Sequence, residues 1–309
     1  MTWRPDDLPD ITGTTAIVTG ANSGIGYETA RQLARHGAAV TLACRDVQSG
    51  EQAASRIAEL ADVAPDVREL DLASLASVKR FAQATEGPVD LLINNAGVMA
   101  PPRHRTTDDG HELQLGVNHL GHFALTGRLL PHLLAAPQGR VVTVSSIAHK
   151  GGSRRVLRGN PPETYNPQQA YANSKLANLL FATELQRRAD AEGVRLTSTA
   201  AHPGVAATGL VTDGQGLGRI PGVKLVAPLL LKVFTQSAAR GAEPTLYAAS
   251  TAEPGSYSGP QNLFESRGPA GPAKTSELVD DRELAGQLWS FSEEHTDVTF
   301  RWSAVTAAD

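Results

Sequence analysis

Thr19-Gly20-Ala21-Asn22-Ser23-Gly24-Ile25-Gly26 (TGANSGIG) joins an apolar β-branched run, Thr14–Thr19, to an amphipathic one, Ile25–His36. In the second run Ile25, Thr29, Leu33 and His36 recur at steps of three and four, the spacing of a helix, and Gly37 suits its C-terminal cap. The three glycines have separate uses. Gly20 permits the tight exit from the strand, Gly24 lets the backbone approach a pyrophosphate, and Gly26 lets the helix pack close to the sheet. The helix N-terminus adds free N–H groups and a positive dipole end. The spacing is Gly-x3-Gly-x-Gly rather than Gly-x-Gly-x-x-Gly. Between a strand and a helix it predicts nucleotide binding; elsewhere it would be only a turn.

Outward from this turn the pattern repeats. Ala39–Ala43, Val67–Leu70, Val89–Ile93, Arg140–Val144 and Val194–Thr199 read as further strands, with Gln48–Leu60 and a run around Val78–Ala84 as helices between them. Tyr257–Phe264 is a candidate last strand and Leu278–Glu294 a closing helix. Strands this apolar, separated by helices, imply a parallel sheet covered on both faces. The expected fold is therefore α/β: a single-domain, doubly wound Rossmann fold of about seven strands with helices on both faces, spanning 1–309. Two segments break the alternation. Lys150–Gln169 reads as a surface insertion, and a region around 205–236 reads as a lid, with Gly209–Gly222 as hinge and Leu225–Phe234 as its apolar part.

Composition excludes several classes. The chain has 309 residues, 41% of them hydrophobic and 19% charged, which rules out a largely disordered or fibrous protein. A net charge of −4 gives no global attraction to nucleic acid or anionic lipid. Cys44 is the single cysteine, so no intramolecular disulfide forms. Met1–Asp10 lacks the apolar core of a signal peptide, and Val223–Phe234 is too short to span a bilayer. The expected location is the cytoplasm.

The second strand ends in Cys44-Arg45-Asp46, where an acid would bind a ribose 2′-hydroxyl. Arg45 is instead a charged fork suited to a 2′-phosphate, which favours NADP(H) with NAD(H) as the alternative; the blander account is a solvated Arg45 paired with Asp46. Further along, Tyr171 and Lys175 stand four apart on a helical run. A free phenol titrates near ~10, and a neighbouring ammonium lowers that value, so Tyr171 is a candidate proton carrier. Val144-Ser145-Ser146 and Asn94-Asn95-Ala96-Gly97 end the fifth and fourth strands at the edge where open α/β sheets bind ligands. Asn118 lies in Gly116–Gly121, where two glycines interrupt a helical pattern.

Together these motifs resemble the short-chain dehydrogenase/reductase family: T-G-x3-G-x-G at Thr19–Gly26, N-N-A-G at Asn94–Gly97, Asn118, Ser146, Y-x3-K at Tyr171 and Lys175, and P-G-x3-T at Pro203, Gly204 and Thr208. The segments ANSGIG, LACRD, LINNAGVM, GVNHLGHF, VSSIAHK and SKLANLLF look most like its retinol dehydrogenase branch, which includes the WW-domain oxidoreductase and lies near protochlorophyllide reductase. The resemblance runs from about Thr14 to about Val298. It implies that Tyr171 is the general acid/base, that Lys175 tunes it and holds the nicotinamide ribose, that Ser146 rather than Ser145 orients the reacting oxygen, and that Asn118 holds a relay water. It implies cofactor contacts at Gly20, Asn22, Ser23, Gly24, Ile25, Gly26, Arg45, Asp71, Leu72, Asn95, Ala96, Gly97, Tyr171, Lys175, Pro203, Gly204 and Thr208.

The implied reaction interconverts a carbonyl and an alcohol on a small lipophilic substrate. A catalytically weak NADP(H)-sensing regulator on the same fold is the alternative, and a nucleotide-sugar epimerase or dehydratase fits less well, since few residues follow Pro203. His119 and His122 lack the companions of a zinc site, so no metal is expected. His149 reads as a pocket-lining residue or, more blandly, as part of a solvated loop. No nucleic acid or membrane partner is expected, and homo-oligomerisation stays open.

Overall fold

In the computed structural model the described residues are 3–205 and 236–302. Thr208 and nearly all of the expected lid fall outside them. The strands are β1 (Thr15–Thr19), β2 (Ala39–Cys44), β3 (Asp66–Glu69), β4 (Leu91–Asn94), β5 (Gly139–Val144), β6 (Leu196–Ala201), β7 (Tyr257–Asn262) and β8 (Arg267–Pro272). They form one sheet in the order β3-β2-β1-β4-β5-β6-β7-β8. β3 to β7 pair in parallel throughout, and β8 alone runs antiparallel to β7. The sheet is thus doubly wound as expected, with one strand more than the seven expected and that strand antiparallel.

Helices α1 (Gly24–Arg35), α2 (Val47–Ala58), α3 (Leu75–Gln83), α4 (Leu113–Leu115), α5 (Gly121–Ala135), α6 (Pro167–Glu192), α7 (Ala238–Ser250) and α8 (Arg282–Thr296) complete the described chain. Apolar residues on the two sides of each buried strand feed two separate cores. Ile17, Leu92 and Val141 face one, with Phe123, Leu129 and Phe181 of the helices. Val18, Ile93 and Val142 face the other, with Ala30, Leu33 and Leu246. This alternation of side-chain direction along a strand is why the sequence shows continuous apolar runs.

The order reverses between β1 and β4, so their C-terminal ends diverge into the crevice where α/β sheets take ligands. The expected surface insertion is less external than its composition suggested. It forms short 3-10 turns, and Val156 within it is fully buried against Leu176 and Leu180 of α6.

Candidate active site

The phosphate turn is built by exclusion of side chains. Gly20 and Gly24 have φ of +65° and +59°, which L-residues rarely adopt. A Cβ on Gly26 would stand 2.4 Å from both Gly20 O and Asn95 Nδ2. Ser23 caps α1 without spending its side chain on the cap. The first-turn amides of α1 therefore face an open cradle, the feature a diphosphate needs.

Thr19 joins this turn to the next. Its Oγ1 accepts hydrogen bonds from Asn95 N and Ala96 N, both at 2.9 Å, and Asn95 Nδ2 donates to Thr19 O at 2.8 Å. Gly97 then passes close to Lys175: a Cβ there would lie 3.6 Å from Nζ. Gly20, Asn22, Ser23, Gly24, Ile25, Gly26, Asn95, Ala96, Gly97, Val98, Val144, Ser145, Tyr171, Lys175 and Pro203 line one cleft of about 520 Å³. Two sequence-distant sets, the glycine turn and the Tyr171 helix, thus share one cavity.

Arg45, Asp71, Leu72, Ser146 and Gly204 are not among the residues that line this cleft. Arg45 is exposed beyond the end of β2. It does not pair with Asp46, whose carboxylate caps α2 by accepting from Ser49 N and Ser49 Oγ. Those two bonds hold Asp46 below the usual carboxylate range, with a smaller pull from Arg45. Asp71 follows β3 and accepts from Ala73 N at 2.9 Å, while Leu72 is buried, its carbonyl close under Gly121. Gly204 has φ +66° and sits against Ser266 O.

The two serines part company. Ser145 Oγ donates to Lys175 O at 2.7 Å, so its hydroxyl serves the α6 backbone. Ser146 Oγ accepts from Ala148 N and lies near enough to the Tyr171 phenol to act on its titration. Burial pushes that phenol above its ordinary value, and the nearby Ser146 hydroxyl pulls the other way. Helical spacing led to the expectation that Lys175 lowers it. Lys175 Nζ instead donates to Val144 O at 3.1 Å and lies 5.7 Å from the Tyr171 ring centre. Burial lowers Lys175 itself to about 8.

Asn118 lies in a π-helical turn, Gly116–Leu120, which explains the interrupted helical pattern. Its side chain is fully engaged: Oδ1 accepts from Val98 N, and Nδ2 donates to Val98 O and to Ser174 Oγ. It thereby ties the exit of β4 to the helix carrying Tyr171.

Sequence reasoning missed a linked set of side chains that comes together behind Ser146 from distant segments. His149, read more as a loop residue than as a pocket one, is fully buried; its Nδ1 donates to Ser146 O at 2.7 Å and its Nε2 accepts from Ser276 N. Tyr257 packs between His149 and His202. Glu265 reaches back from the β7–β8 connection to Lys150. No local signal marks these residues, because their partners come from distant segments. Among the described residues, no group of three His, Cys, Asp or Glu side chains is placed to hold a metal, and no helix is long and apolar enough to cross a membrane.

Comparison with known proteins adds an independent line. The family model of the short chain dehydrogenases matches residues 14–215. Human retinol dehydrogenase 13 is 44% identical over 290 residues, covering 91% of this chain and 84% of that protein. Mouse polyprenol dehydrogenase is 43% identical over 296 residues, covering 93% and 85%. A crystal structure of an uncharacterised protein from Mycobacterium paratuberculosis is 44% identical with a TM-score of 0.81, covering 97% of this chain and all of that one. With the family model spanning more than half of its length and relatives matching at this level, the chain belongs to the short-chain dehydrogenase/reductase family, as an oxidoreductase of the retinol dehydrogenase-like kind.

Proposed function

We propose that the protein is an NADP(H)-dependent oxidoreductase that interconverts an aldehyde or ketone and its alcohol on a small lipophilic substrate, with Tyr171 as general acid/base. The observation that carries this reading is the single cleft that joins the glycine turn to Tyr171 and Lys175, with Ser146 close to the Tyr171 phenol at the exit of β5. The turn, Asn95 and Lys175 would hold the dinucleotide, which supplies the hydride. The chain's own residues manage the oxygen. Ser146 and Tyr171 offer two O–H donors to one substrate oxygen, ready before negative charge develops on it. Burial keeps the phenol protonated, so Tyr171 is set to give its proton in the reductive direction. Lys175, with its value lowered to about 8, stands one turn away as a cation or proton reservoir. Val98, Val144 and Pro203 give the cleft apolar walls. The relatives' names, retinol and polyprenol dehydrogenase, support a lipophilic alcohol as the substrate class. Arg45 supports NADP(H), since Asp46 leaves its guanidinium without a salt bridge.

The test follows NADPH oxidation by absorbance with a panel of lipophilic aldehydes and ketones. Tyr171→Phe is expected to lower kcat roughly 10³-fold, within the range for a positioned proton donor, while NADPH affinity changes less than about twofold. Arg45→Asp is expected to move the NADP/NAD preference at least roughly tenfold towards NAD, the loss of one charge-assisted contact. Retained turnover in Tyr171→Phe removes Tyr171 from the mechanism. An unchanged preference in Arg45→Asp removes the 2′-phosphate assignment. No turnover by the wild-type chain on any carbonyl favours a nucleotide-sensing role.

A further inference from the structure

His122 occupies the first turn of α5 and is buried, and both of its ring nitrogens are engaged. Nδ1 lies 3.0 Å from Asn118 O, and Nε2 lies 2.9 Å from Thr19 Oγ1. A carbonyl oxygen only accepts, so Nδ1 carries the proton. Burial lowers His122 to about 4, so the ring is neutral and Nε2 is an acceptor. The Thr19 hydroxyl therefore donates to Nε2, in preference to Ile93 O at 3.3 Å. The same Oγ1 accepts from Asn95 N and Ala96 N, which fills its capacity.

One imidazole thus bridges two turns. On one side is the Asn95–Ala96 turn that forms a wall of the cofactor cleft. On the other is the π-helical turn, where the chain pairs N–H groups with carbonyls five residues back, as Gly121 N does with Gly116 O. From Asn118 the connection continues through Nδ2 to Ser174 Oγ, and Ser174 Oγ donates to Tyr171 O at 2.8 Å. A hydrogen-bonded path therefore runs from β1 through α5 and the π turn into α6.

We propose that His122, as its Nδ1–H tautomer, is a positioning residue that registers the Asn95–Ala96 wall of the cofactor cleft against the Asn118 turn and, through Ser174, against the helix bearing Tyr171 and Lys175. It touches no reacting atom. The inference rests on the assignment of Tyr171 and the dinucleotide cleft made above. It gives the residue two separable arms: the Thr19 arm acts on cofactor binding, and the Asn118 arm acts on the chemical step.

Two conservative variants of the full chain separate the arms. Asparagine at 122 retains a donor where Nδ1 stands and loses the Nε2 acceptor. Glutamine reaches the Nε2 position and loses the Nδ1 donor. His122→Asn is expected to weaken NADPH binding roughly tenfold while keeping kcat within about twofold, the scale of one buried hydrogen bond. His122→Gln is expected to keep NADPH affinity within about twofold and lower kcat roughly tenfold. His122→Phe is expected to lose both. Equal changes in both parameters for Asn and Gln, following the loss in Tm, reduce His122 to a packing residue and overturn the proposal. Nitrogen-15 NMR of the wild-type ring reads the tautomer without turnover. Protonated Nδ1 with no titration between pH 5.5 and 8 is expected, and protonated Nε2 or a midpoint near 6.5 overturns it. Should the wild-type chain turn over no carbonyl, the proposed reaction fails while the NADPH affinities and the NMR tautomer still decide the role of His122.

Discussion

The phosphate turn and the tip of the β7–β8 hairpin use the same region of backbone space with different residues. Gly20 and Gly24 enter it at +65° and +59°; Leu263, Phe264 and Glu265 enter it in succession at +48°, +57° and +64°. Glycine does so freely, whereas an L-residue is held there at a cost of roughly 1–2 kcal/mol. The phosphate turn needs glycine on two counts: Gly20 and Gly24 for their positive φ, and Gly26 for space, since a side chain there would meet Gly20 O and Asn95 Nδ2. The hairpin tip has space to spare, with Phe264 98% exposed. What its strain secures is the reach of Glu265, which accepts from Lys150 Nζ at 3.0 Å and from Lys274 N at 2.8 Å. Crowding and conformation are therefore separate demands for glycine, and each can be broken alone.

Gly26→Ala breaks the crowding side. Gly26 has no positive φ, so its only requirement is room. The added methyl must displace Gly20 O or Asn95 Nδ2, and Asn95 is tied to Thr19. The expected result is a loss of NADPH affinity of at least roughly 100-fold, equivalent to about 3 kcal/mol, the upper range for overpacking. A fluorescence titration measures it. A loss below about threefold would show that the turn relaxes around a side chain and that crowding is not its constraint.

The same contrast explains what could be read from the sequence. A turn that excludes side chains must be written in glycines, so the cradle, and with it β1 and α1, was legible from eight residues. The buried parallel strands were legible as apolar runs. β8 was not, because Arg267–Pro272 holds two glycines and two prolines and carries no strand pattern of its own. Its turn was equally hidden, since Leu263, Phe264 and Glu265 are not residues one reads as left-handed. In the active site, spacing put Tyr171 and Lys175 on one helix face but could not show that Nζ turns to Val144 O. Ser146 was separable from Ser145 only by family resemblance; the structure gives the physical reason in the Ser145 bond to Lys175 O. His122 was read only as a metal-ligand candidate, because Thr19 is distant along the chain and comes beside it only through the fold.

Glu265→Gln tests what the strained tip secures. Burial raises the Glu265 carboxyl, but the Lys274 amide and then Lys150 outweigh it and hold the group below its ordinary range. Its folded value therefore lies below the unfolded one. The stabilisation is complete above the unfolded value of about 4.3 and is lost as pH falls through the folded value. Lys150 is half exposed, so the pair contributes modestly. Glu265→Gln is expected to lower stability by about 0.5–1 kcal/mol at pH 7, a Tm shift of roughly 1–3 °C, and the difference from wild type is expected to shrink at pH 3.5. A difference independent of pH would mean that the charge of Glu265 plays no part.

Phe264→Gly gives the smallest and most discriminating effect, because it alters conformation while leaving crowding untouched. With its side chain almost wholly exposed, Phe264 has little packing to lose. Relief of the left-handed strain contributes roughly 1–2 kcal/mol, and the extra freedom that glycine gives the unfolded chain takes back roughly 0.5–1 kcal/mol. The balance is a gain of about 0.5 kcal/mol, or roughly 1–2 °C in Tm by calorimetry. The Lys150–Glu265 pair stays in place, so Glu265→Gln should cost the same in either background. A fall in Tm would show that the backbone is not strained at 264, and the likeness between the tip and the phosphate turn would then be one of angle alone.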